Sequence, residues 1–159
     1  MNIKRAQTTD ELEEIRRLFR EYEAFLDFGH CFQDFEKELA GLPGHYAPPE
    51  GELLIAVNGR TAAGCAALRQ YKGGICEMKR LFVRPEFRRQ RLGRMLAERI
   101  IEEAVKLGYT SMRLETLDRL VEAVRLYESL GFRHRHHPHC RTPVAGVLYW
   151  ELPLRPAQG

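Results

Sequence analysis

The sequence predicts a single-domain fold that combines helices and strands, α/β in the broad sense and α+β in the narrow one. A mixed, mostly antiparallel sheet of about six to seven strands is flanked by helices. Two observations support this prediction. Between residues 52 and 83, three strand-like segments are separated only by short turn sequences, which indicates consecutive antiparallel strands. After residue 83, a helix-like segment lies between two strands, an order that implies a right-handed crossover to a parallel neighbour. We expect one domain over residues 1–153 and a C-terminal tail over 154–159, since 159 residues can bury a core without disulfides or a metal.

The first elements are an edge strand over residues 2–5 and a long helix. Thr8 and Glu11 have the Thr-x-x-Glu spacing of a capping box, which satisfies free N–H groups at the start of a helix. We expect this helix to end near Phe28-Gly29. Its apolar stripe, at helical spacing, is formed by Leu12, Ile15, Phe19, Tyr22 and Leu26.

Two turn sequences define the antiparallel strands. A short helix over residues 35–39 and a proline-containing loop come first. Asn58-Gly59 is then a strong signal for a tight β-hairpin, and Gly73-Gly74 marks the next turn. The strands joined by these turns are predicted over residues 52–57, 61–70 and 75–83.

Helices and strands alternate in the second half of the chain. Arg84-Pro85 ends the third strand, because proline lacks the N–H that a ladder needs. Apolar residues then recur every four residues from Leu92 until Gly108, which is suited to end a helix. Asp118 is the expected N-cap of the next helix. The remaining elements are predicted as a strand over residues 111–116, a helix from 120 to 131 and a last strand over 144–152.

The overall charge of the chain is small. The 25 basic and 22 acidic side chains leave a net charge of +3, which does not favour binding to nucleic acid or to a membrane. The distribution is uneven, however, and a local positive field suits a polyanionic ligand of limited size. Seven arginines lie close together in the sequence: Arg80, Arg84, Arg88, Arg89, Arg91, Arg94 and Arg99.

Cysteine and histidine residues argue for a reduced protein without a metal. The four cysteines are widely spaced, and neither a signal peptide nor a long apolar segment begins the chain, so we expect a cytoplasmic protein. The segment from His134 to Cys140 offers imidazole and thiolate groups, which bind zinc. These residues are adjacent in an irregular loop rather than spaced along a helix, and we therefore expect no metal.

The predicted start of the helix at Leu92 is a candidate phosphate site. The first N–H groups of a helix have no intrahelical partner, and the helix dipole adds partial positive charge there. Arginines beside this point would neutralise the remaining phosphate charge. The alternative is an ordinary solvated basic surface. The arginines surround a strand-to-helix break instead of following one helix, and this position favours the phosphate site.

The same segment carries a recognisable motif. Residues 79–87 read Lys-Arg-Leu-Phe-Val-Arg-Pro-Glu-Phe, and Arg88-x-x-Arg91-x-Gly93 follows. From Glu77 to Phe132 the chain thereby resembles the GCN5-related N-acetyltransferase (GNAT) superfamily, whose acetyl-CoA signature is Gln or Arg, two residues, Gly, one residue, and Gly or Ala. Arg91 stands where that superfamily usually has glycine. We expect Arg91 in an ordinary right-handed or extended conformation, with its N–H still directed at phosphate.

The resemblance implies the GNAT acyl-CoA N-acyltransferase fold, with acetyl-CoA as cosubstrate between two diverging central strands. The strand end from Leu81 to Val83 is expected to pair with the pantetheine arm, and the segment from Arg88 to Arg94 is expected to wrap the pyrophosphate. The expected cofactor-binding residues are Leu81, Phe82, Val83, Arg88, Arg89, Gln90, Arg91, Leu92, Gly93 and Arg94.

Acid and base candidates follow from the chemistry of acetyl transfer, since an attacking amine must lose a proton and a leaving thiolate must gain one. Glu77 is the first candidate for the base and Glu115 the second. The alternative for Glu77 is a cross-strand pair with a lysine or arginine. Tyr127, in a Leu-Tyr-Glu-x-x-Gly-Phe context, matches the tyrosine that many family members use as the acid. The alternative for Tyr127 is a half-buried packing residue.

We therefore expect a transferase, an acetyl-CoA-dependent N-acetyltransferase that moves an acetyl group to an amine by direct attack in a ternary complex. One alternative is a degenerate acyl-CoA-binding protein with a sensory or partner role, suggested by Arg91. Another is a basic nucleic-acid-binding module, which would need a recognition helix or interleaved aromatic residues. The expected partner is a small-molecule or peptide amine acceptor, with no nucleic acid and no membrane. Superfamily members are often dimers, so a homodimer is also expected.

Overall fold

A computed structural model describes residues 1–26, 32–135 and 146–155. They form one seven-stranded sheet of order β1-β2-β3-β4-β5-β7-β6, in which only β4 and β5 are parallel neighbours. This sheet, flanked by helices, confirms the predicted fold class. The elements are β1 Asn2–Arg5, α1 Thr9–Leu26, α2 Phe32–Ala40, β2 Glu52–Asn58, β3 Thr61–Lys72, β4 Ile75–Val83, α3 Leu92–Lys106, β5 Ser111–Leu117, α4 Val121–Ser129, β6 Arg133–Arg135 and β7 Val147–Pro153. Of the described helices, none combines the length and apolarity needed to cross a bilayer.

The capping box at the start of α1 forms as predicted. Glu11 Oε1 accepts a hydrogen bond from the Thr8 N–H at 2.9 Å, and Thr8 Oγ1 accepts one from the Glu11 N–H at 3.1 Å. Lys4 Nζ lies 2.8 Å from the second Glu11 oxygen. Together with the backbone donors, this contact lowers the pKa of Glu11 from 4.5 to about 2. The last described residue of α1 is Leu26, so the predicted end near Phe28-Gly29 lies outside the described residues.

Both predicted hairpins are present. Asn58 stays in the ladder opposite Thr61, so the first loop consists of Gly59 and Arg60, one residue later than the predicted Asn58-Gly59 turn. Gly59 has φ +63°, a left-handed conformation that favours glycine. The second loop is Gly73-Gly74, as predicted, between the paired residues at 72 and 75.

The sheet separates two apolar cores, because successive side chains of a strand point to opposite faces. On one face, α1 and α2 cover residues such as Cys65 and Ala67 of β3. On the other face, α3 covers the alternate residues Ala66 and Leu68. Tyr127 of α4 belongs to this second core. Each central strand is therefore buried on both sides, so a ligand can reach these strands only at their ends or at gaps in the sheet.

The region after β5 corrects two predictions. Asp118 is not the N-cap of α4, since the cap residue is Leu120 and no side chain caps the helix. The Asp118 N–H instead donates to Gly146 O at 2.9 Å. His134 and Arg135 lie in strand β6 and not in a loop, because this short segment pairs with β7. The rest of the histidine-rich segment, residues 136–140, lies outside the described residues.

The C-terminal strand extends further than predicted. β7 begins at Val147 and ends at Pro153, one residue beyond the predicted end; residues 144 and 145 of the predicted strand lie outside the described residues. Leu154 follows with only 8% exposure, and its N–H donates to Thr110 O at 2.9 Å. The packed core thus includes the first residue of the predicted tail.

The central strands β4 and β5 diverge. They pair only from Ile75 to Glu77, and Glu77 is opposite Arg113 at the last paired position. Beyond it, β4 also contains a bulge, where Arg80 and Leu81 together oppose one residue of β3, and Arg80 has φ +59°. The sheet therefore opens into a gap between the C-terminal halves of β4 and β5, as the resemblance implied.

Candidate active site

The first cleft, named here the α3 cleft, has a volume of about 550 Å³ and lies between the end of β4 and the first turns of α3 and α4. Gln90 is exposed and is not among the residues that line it. The other predicted cofactor-binding residues all line this cleft: Leu81, Phe82, Val83, Arg88, Arg89, Arg91, Leu92, Gly93 and Arg94.

The α3 N-terminus supplies free main-chain donors to this cleft. The helix begins after Arg91, whose carbonyl accepts the first intrahelical bond from the Met95 N–H at 3.0 Å, and no side chain caps the helix. The N–H groups of Leu92, Gly93 and Arg94 precede that bond and have no intrahelical acceptor. With the partial positive charge of the helix dipole, they form a site suited to an anion.

Arg91 is in the left-handed region, with φ +62° and ψ +15°. The expectation of an ordinary conformation was therefore wrong. Arg89 has a similar φ of +64°, so two left-handed residues within three positions turn the chain from the short helix at Pro85–Phe87 into α3. Glycine takes this conformation without the cost of roughly 1–2 kcal/mol that a residue with Cβ bears. The main chain thus turns as a glycine would, although arginine occupies the position.

Most of the clustered arginines already have partners. Arg84 NH2 lies 2.7 Å from Glu21 Oε2 of α1. Arg94 Nε lies 2.8 Å from Glu98 Oε1. The Arg88 side chain donates to a main-chain carbonyl and stacks over the Phe25 ring of α1 at 4.9 Å. Arg89 and Arg91 are exposed and form no ion pair with any described residue. The positive charge available to a ligand is therefore much smaller than seven arginines suggest.

Tyr127 is a buried residue that lines the α3 cleft. Its side chain is 6% exposed, and its hydroxyl makes no hydrogen bond with the part of the chain described here. Burial raises the pKa of Tyr127, so the phenol stays protonated at neutral pH and can act only as a proton donor in its resting state. Both readings of Tyr127 thus agree with its position, since it packs in the core and also reaches the cleft.

The second cleft, named the α2 cleft, has a volume of about 560 Å³ and lies on the α1 and α2 face of the sheet. Tyr22 and Thr116 line both clefts, which places the two openings together at the gap between β4 and β5. Half of the sixteen residues lining the α2 cleft carry charged groups, which makes it suited to a polar ligand: Asp34, Glu38, Arg69, Glu77, Lys79, Arg80, Arg113 and Glu115.

Glu77 is both a cleft residue and the centre of an ion-pair network. It is 4% exposed, and its Oε1 accepts a hydrogen bond from Arg69 Nε of the neighbouring strand at 2.9 Å. Its Oε2 lies 3.7 Å from Arg113 Nε. The cross-strand pair considered as the alternative role of Glu77 is therefore present. Glu115 is 47% exposed and accepts from Arg113 NH2 at 2.9 Å.

Tyr22 and Thr116, which line both clefts, are among the site residues that sequence reasoning missed. Tyr22 was placed in the apolar stripe of α1, and Thr116 was an ordinary residue at the end of a strand. The only sequence signal was a hydroxyl group at an otherwise apolar position. Burial raises the pKa of Tyr22 to about 12, so this phenol is also protonated at neutral pH.

Sequence comparison connects this architecture to known proteins. Residues 12–132 match the sequence model of the acetyltransferase (GNAT) family. A protein of Schizosaccharomyces pombe, named as an uncharacterized N-acetyltransferase, is 40% identical over 156 residues, which cover 97% of this chain and 95% of the relative.

Solved structures share the fold. A GNAT-family acetyltransferase of Staphylococcus aureus matches with a TM-score of 0.81 and 18% identity, covering 97% of this chain and 99% of that one. The PaiA N-acetyltransferase of Thermoplasma acidophilum, solved in complex with coenzyme A, matches with a TM-score of 0.73 and 18% identity, covering 96% and 99%. The match over residues 12–132 and the long S. pombe alignment lead to one conclusion: the chain belongs to the acetyltransferase (GNAT) family of N-acetyltransferase enzymes.

Proposed function

We propose that this protein transfers an acetyl group from acetyl-CoA to an amine acceptor by direct attack in a ternary complex. The observation that carries the proposal is the meeting of two clefts at the gap between β4 and β5, beside Tyr22 and Thr116. A thioester entering from the α3 cleft and an amine entering from the α2 cleft would meet there. Holding both reactants in one place removes most of the entropic cost of a bimolecular reaction.

The α3 cleft is the proposed site for acetyl-CoA. The pyrophosphate would accept hydrogen bonds from the uncapped N–H groups at the start of α3, and the exposed Arg89 and Arg91 would contribute charge. The pantetheine arm would lie along the main chain from Leu81 to Val83, where β4 has lost its neighbour β5. Coenzyme A in the PaiA structure, which has the same fold, supports this assignment.

The proposed chemistry needs two proton transfers. The neutral amine nitrogen attacks the thioester carbon, the carbon–sulfur bond breaks, and the amine proton passes to a base, directly or through water. Tyr127 would give its proton to the departing thiolate, since its phenol carries that proton at neutral pH; burial raises its pKa and makes it a weaker acid, so this role depends on its position in the cleft. Glu77 and Glu115 both line the acceptor side and are the two candidates for the base. Both Glu77 oxygens already face arginines, so proton uptake by Glu77 would weaken these ion pairs.

The two alternative functions lose support. The degenerate acyl-CoA-binding protein was suggested by Arg91, but the left-handed conformation of this residue is the one that glycine would supply. The nucleic-acid-binding module depended on a cluster of free arginines, and Arg80, Arg84 and Arg94 are paired with glutamates. A cytoplasmic location, a homodimer and a single domain over residues 1–153, extended by the packed Leu154, remain parts of the proposal. The described cysteines, Cys65 and Cys76, are free thiols, which is compatible with a reducing compartment.

Acetyl-CoA titration by calorimetry, followed by thiol release with a panel of amines, tests the function. We expect saturable binding, and release of one thiol per acetylated amine. Arg89→Ala should weaken acetyl-CoA binding several-fold, and the loss should shrink at high salt because it is electrostatic. Arg60→Ala, at an exposed arginine of the β2–β3 loop, is the matched control and should bind normally. Absence of acetyl-CoA binding would refute the proposal, and binding without turnover of any amine would favour the acyl-CoA-binding alternative.

A further inference from the structure

The charged groups of the α2 cleft neutralise one another to a large extent. Arg80 contacts both oxygens of Glu38, at 3.0 and 3.2 Å, and also pairs with Glu23 of α1. On the other side of the cleft, Glu77 and Glu115 pair with Arg69 and Arg113 in the network described above. The charges of these groups are largely compensated by one another, so each offers a ligand less net charge than an unpaired group would.

Two charged residues that line the α2 cleft take no part in these ion pairs. Lys79 lies on β4 between Glu77 and Arg80 and is half-buried, and Asp34 lies exposed on α2. Neither has an ion pair or hydrogen bond with any residue that the structure describes. The α2 cleft therefore presents one unpaired cation from the sheet and one unpaired anion from the helix that faces it.

Building on the proposed function, we propose that the acceptor is an amino acid. Lys79 binds the carboxylate of the acceptor, and Asp34 attracts its ammonium group into the cleft before the amine is deprotonated. A zwitterion is the smallest ligand that satisfies both unpaired charges at once. The cleft volume of about 560 Å³ is within the range of small-molecule sites and leaves room for a side chain.

Other amine classes fit this charge arrangement less well. A simple amine or an aminoglycoside has no anion for Lys79, which would remain a half-buried cation without a partner. A polyamine would place a second positive charge near Lys79, and like charges repel at this range. An amino acid amide keeps the amine but loses the carboxylate, so it is the matched ligand that isolates the role of Lys79.

The environment of Lys79 agrees with a role in binding an anion. Burial lowers the pKa of Lys79, and the nearby Glu77 compensates only in part. A bound carboxylate would restore the favourable environment of the ammonium group. Sites that bury a polar group to bind one partner reject analogues lacking that partner strongly, because the protein group is then left unpaired.

The test compares matched amines. Thiol release is measured with each amino acid, its primary amide and its decarboxylated amine, at equal concentrations of the neutral amine form. We expect kcat/KM to be about 10–100-fold higher for the amino acid, as for the loss of a hydrogen bond to a charged group. Lys79→Met should abolish this preference, and Lys79→Arg should retain most of it. Lys106→Met, an exposed lysine at the end of α3, is the control and should keep the preference.

Three outcomes would overturn the inference: amides that react as well as amino acids, a Lys79→Met variant that keeps the preference, or no acetylation of any amino acid. Acetyl-CoA titration of the same preparations separates this failure from failure of the proposed function. If acetyl-CoA binds and other amines are acetylated, only the assignment of the acceptor is lost. If acetyl-CoA does not bind, the proposed function fails as well.

Discussion

The Tyr127 ring packs edge-on against the Phe132 ring, with the centroids 5.7 Å apart and the planes at 64°. Both side chains belong to the core on the α3 side of the sheet, and the contact fixes the direction of the Tyr127 ring without using its hydroxyl. The packing role and the proposed acid role of Tyr127 can therefore be separated by removing one oxygen atom.

Tyr127→Phe should lower kcat by about 10²-fold, the usual size of a general acid contribution, and leave acetyl-CoA affinity and stability nearly unchanged. Steady-state kinetics, calorimetry and thermal unfolding of the same variant check the three expectations. Tyr109→Phe is the control. The Tyr109 hydroxyl donates to Glu50 O, and Tyr109 lines neither cleft, so its loss should not affect turnover. Equal kcat for wild type and Tyr127→Phe would remove the acid role.

Replacement of the two base candidates should have different effects on stability. Glu77→Gln leaves Arg69 and Arg113 without their buried carboxylate and should cost about 3 kcal/mol of unfolding free energy. Glu115→Gln removes a half-exposed contact and should cost no more than about 1 kcal/mol. Urea unfolding gives these values. The variant that loses about 10²-fold in kcat while still folded identifies the base, and normal turnover in Glu77→Gln would exclude that residue.

The protein should be more stable with glycine than with alanine at position 91. At a left-handed position, Arg91→Gly should be more stable than Arg91→Ala by about 1 kcal/mol, because alanine keeps the Cβ that makes this conformation costly. The matched control pair lies within α3. There Glu98→Ala should be more stable than Glu98→Gly by about 1 kcal/mol of unfolding free energy, which is the opposite order. Denaturant unfolding of the four variants measures both stability differences. An Arg91→Ala variant as stable as Arg91→Gly would contradict the left-handed conformation.

The capping box should make stability pH-dependent at acid pH. The pKa of Glu11 is lower in the folded protein, about 2, than its ordinary 4.5, so its stabilising effect is present above pH 4.5 and is lost as the pH falls toward 2. Glu11→Gln should therefore cost about 1 kcal/mol at pH 7, the size typical of helix caps, and almost nothing near pH 2. Unfolding measured between pH 2 and pH 7 checks this, with Glu13→Gln, an exposed glutamate of the same helix, as the control. A constant difference across this range would contradict it.

Local patterns predicted much of the fold, because they act over a few residues. The capping box at Thr8, the turn at Gly73-Gly74 and the start of α3 at Leu92 were correct for this reason. The motif from Arg88 to Gly93 is contiguous, so most of its residues lie together at the α3 cleft, while their binding of a cosubstrate stays a prediction. The crossover rule then placed β4 beside β5 correctly.

Features that depend on distant contacts could not be predicted. Arg84 is neutralised by Glu21, 63 residues earlier in the chain, and no local pattern connects them. His134 lies in a strand only because β7 passes beside it. The left-handed conformation of Arg91 opposes the preference of arginine, and the surrounding turn imposes it. Lys79 stands out as unpaired only after the partners of every neighbouring charge are known.

The gap between β4 and β5 leaves few main-chain hydrogen bonds between the two halves of the sheet. β5 shares seven paired positions with β7 but only three with β4, so the main-chain ladder between the two halves of the sheet, β1 to β4 and β5 with β7 and β6, is short. A cosubstrate arm hydrogen-bonded along Leu81 to Val83 would lengthen that ladder. Filling the gap would then restrict the relative motion of the two halves of the sheet. The enzyme would be most rigid when both reactants are bound.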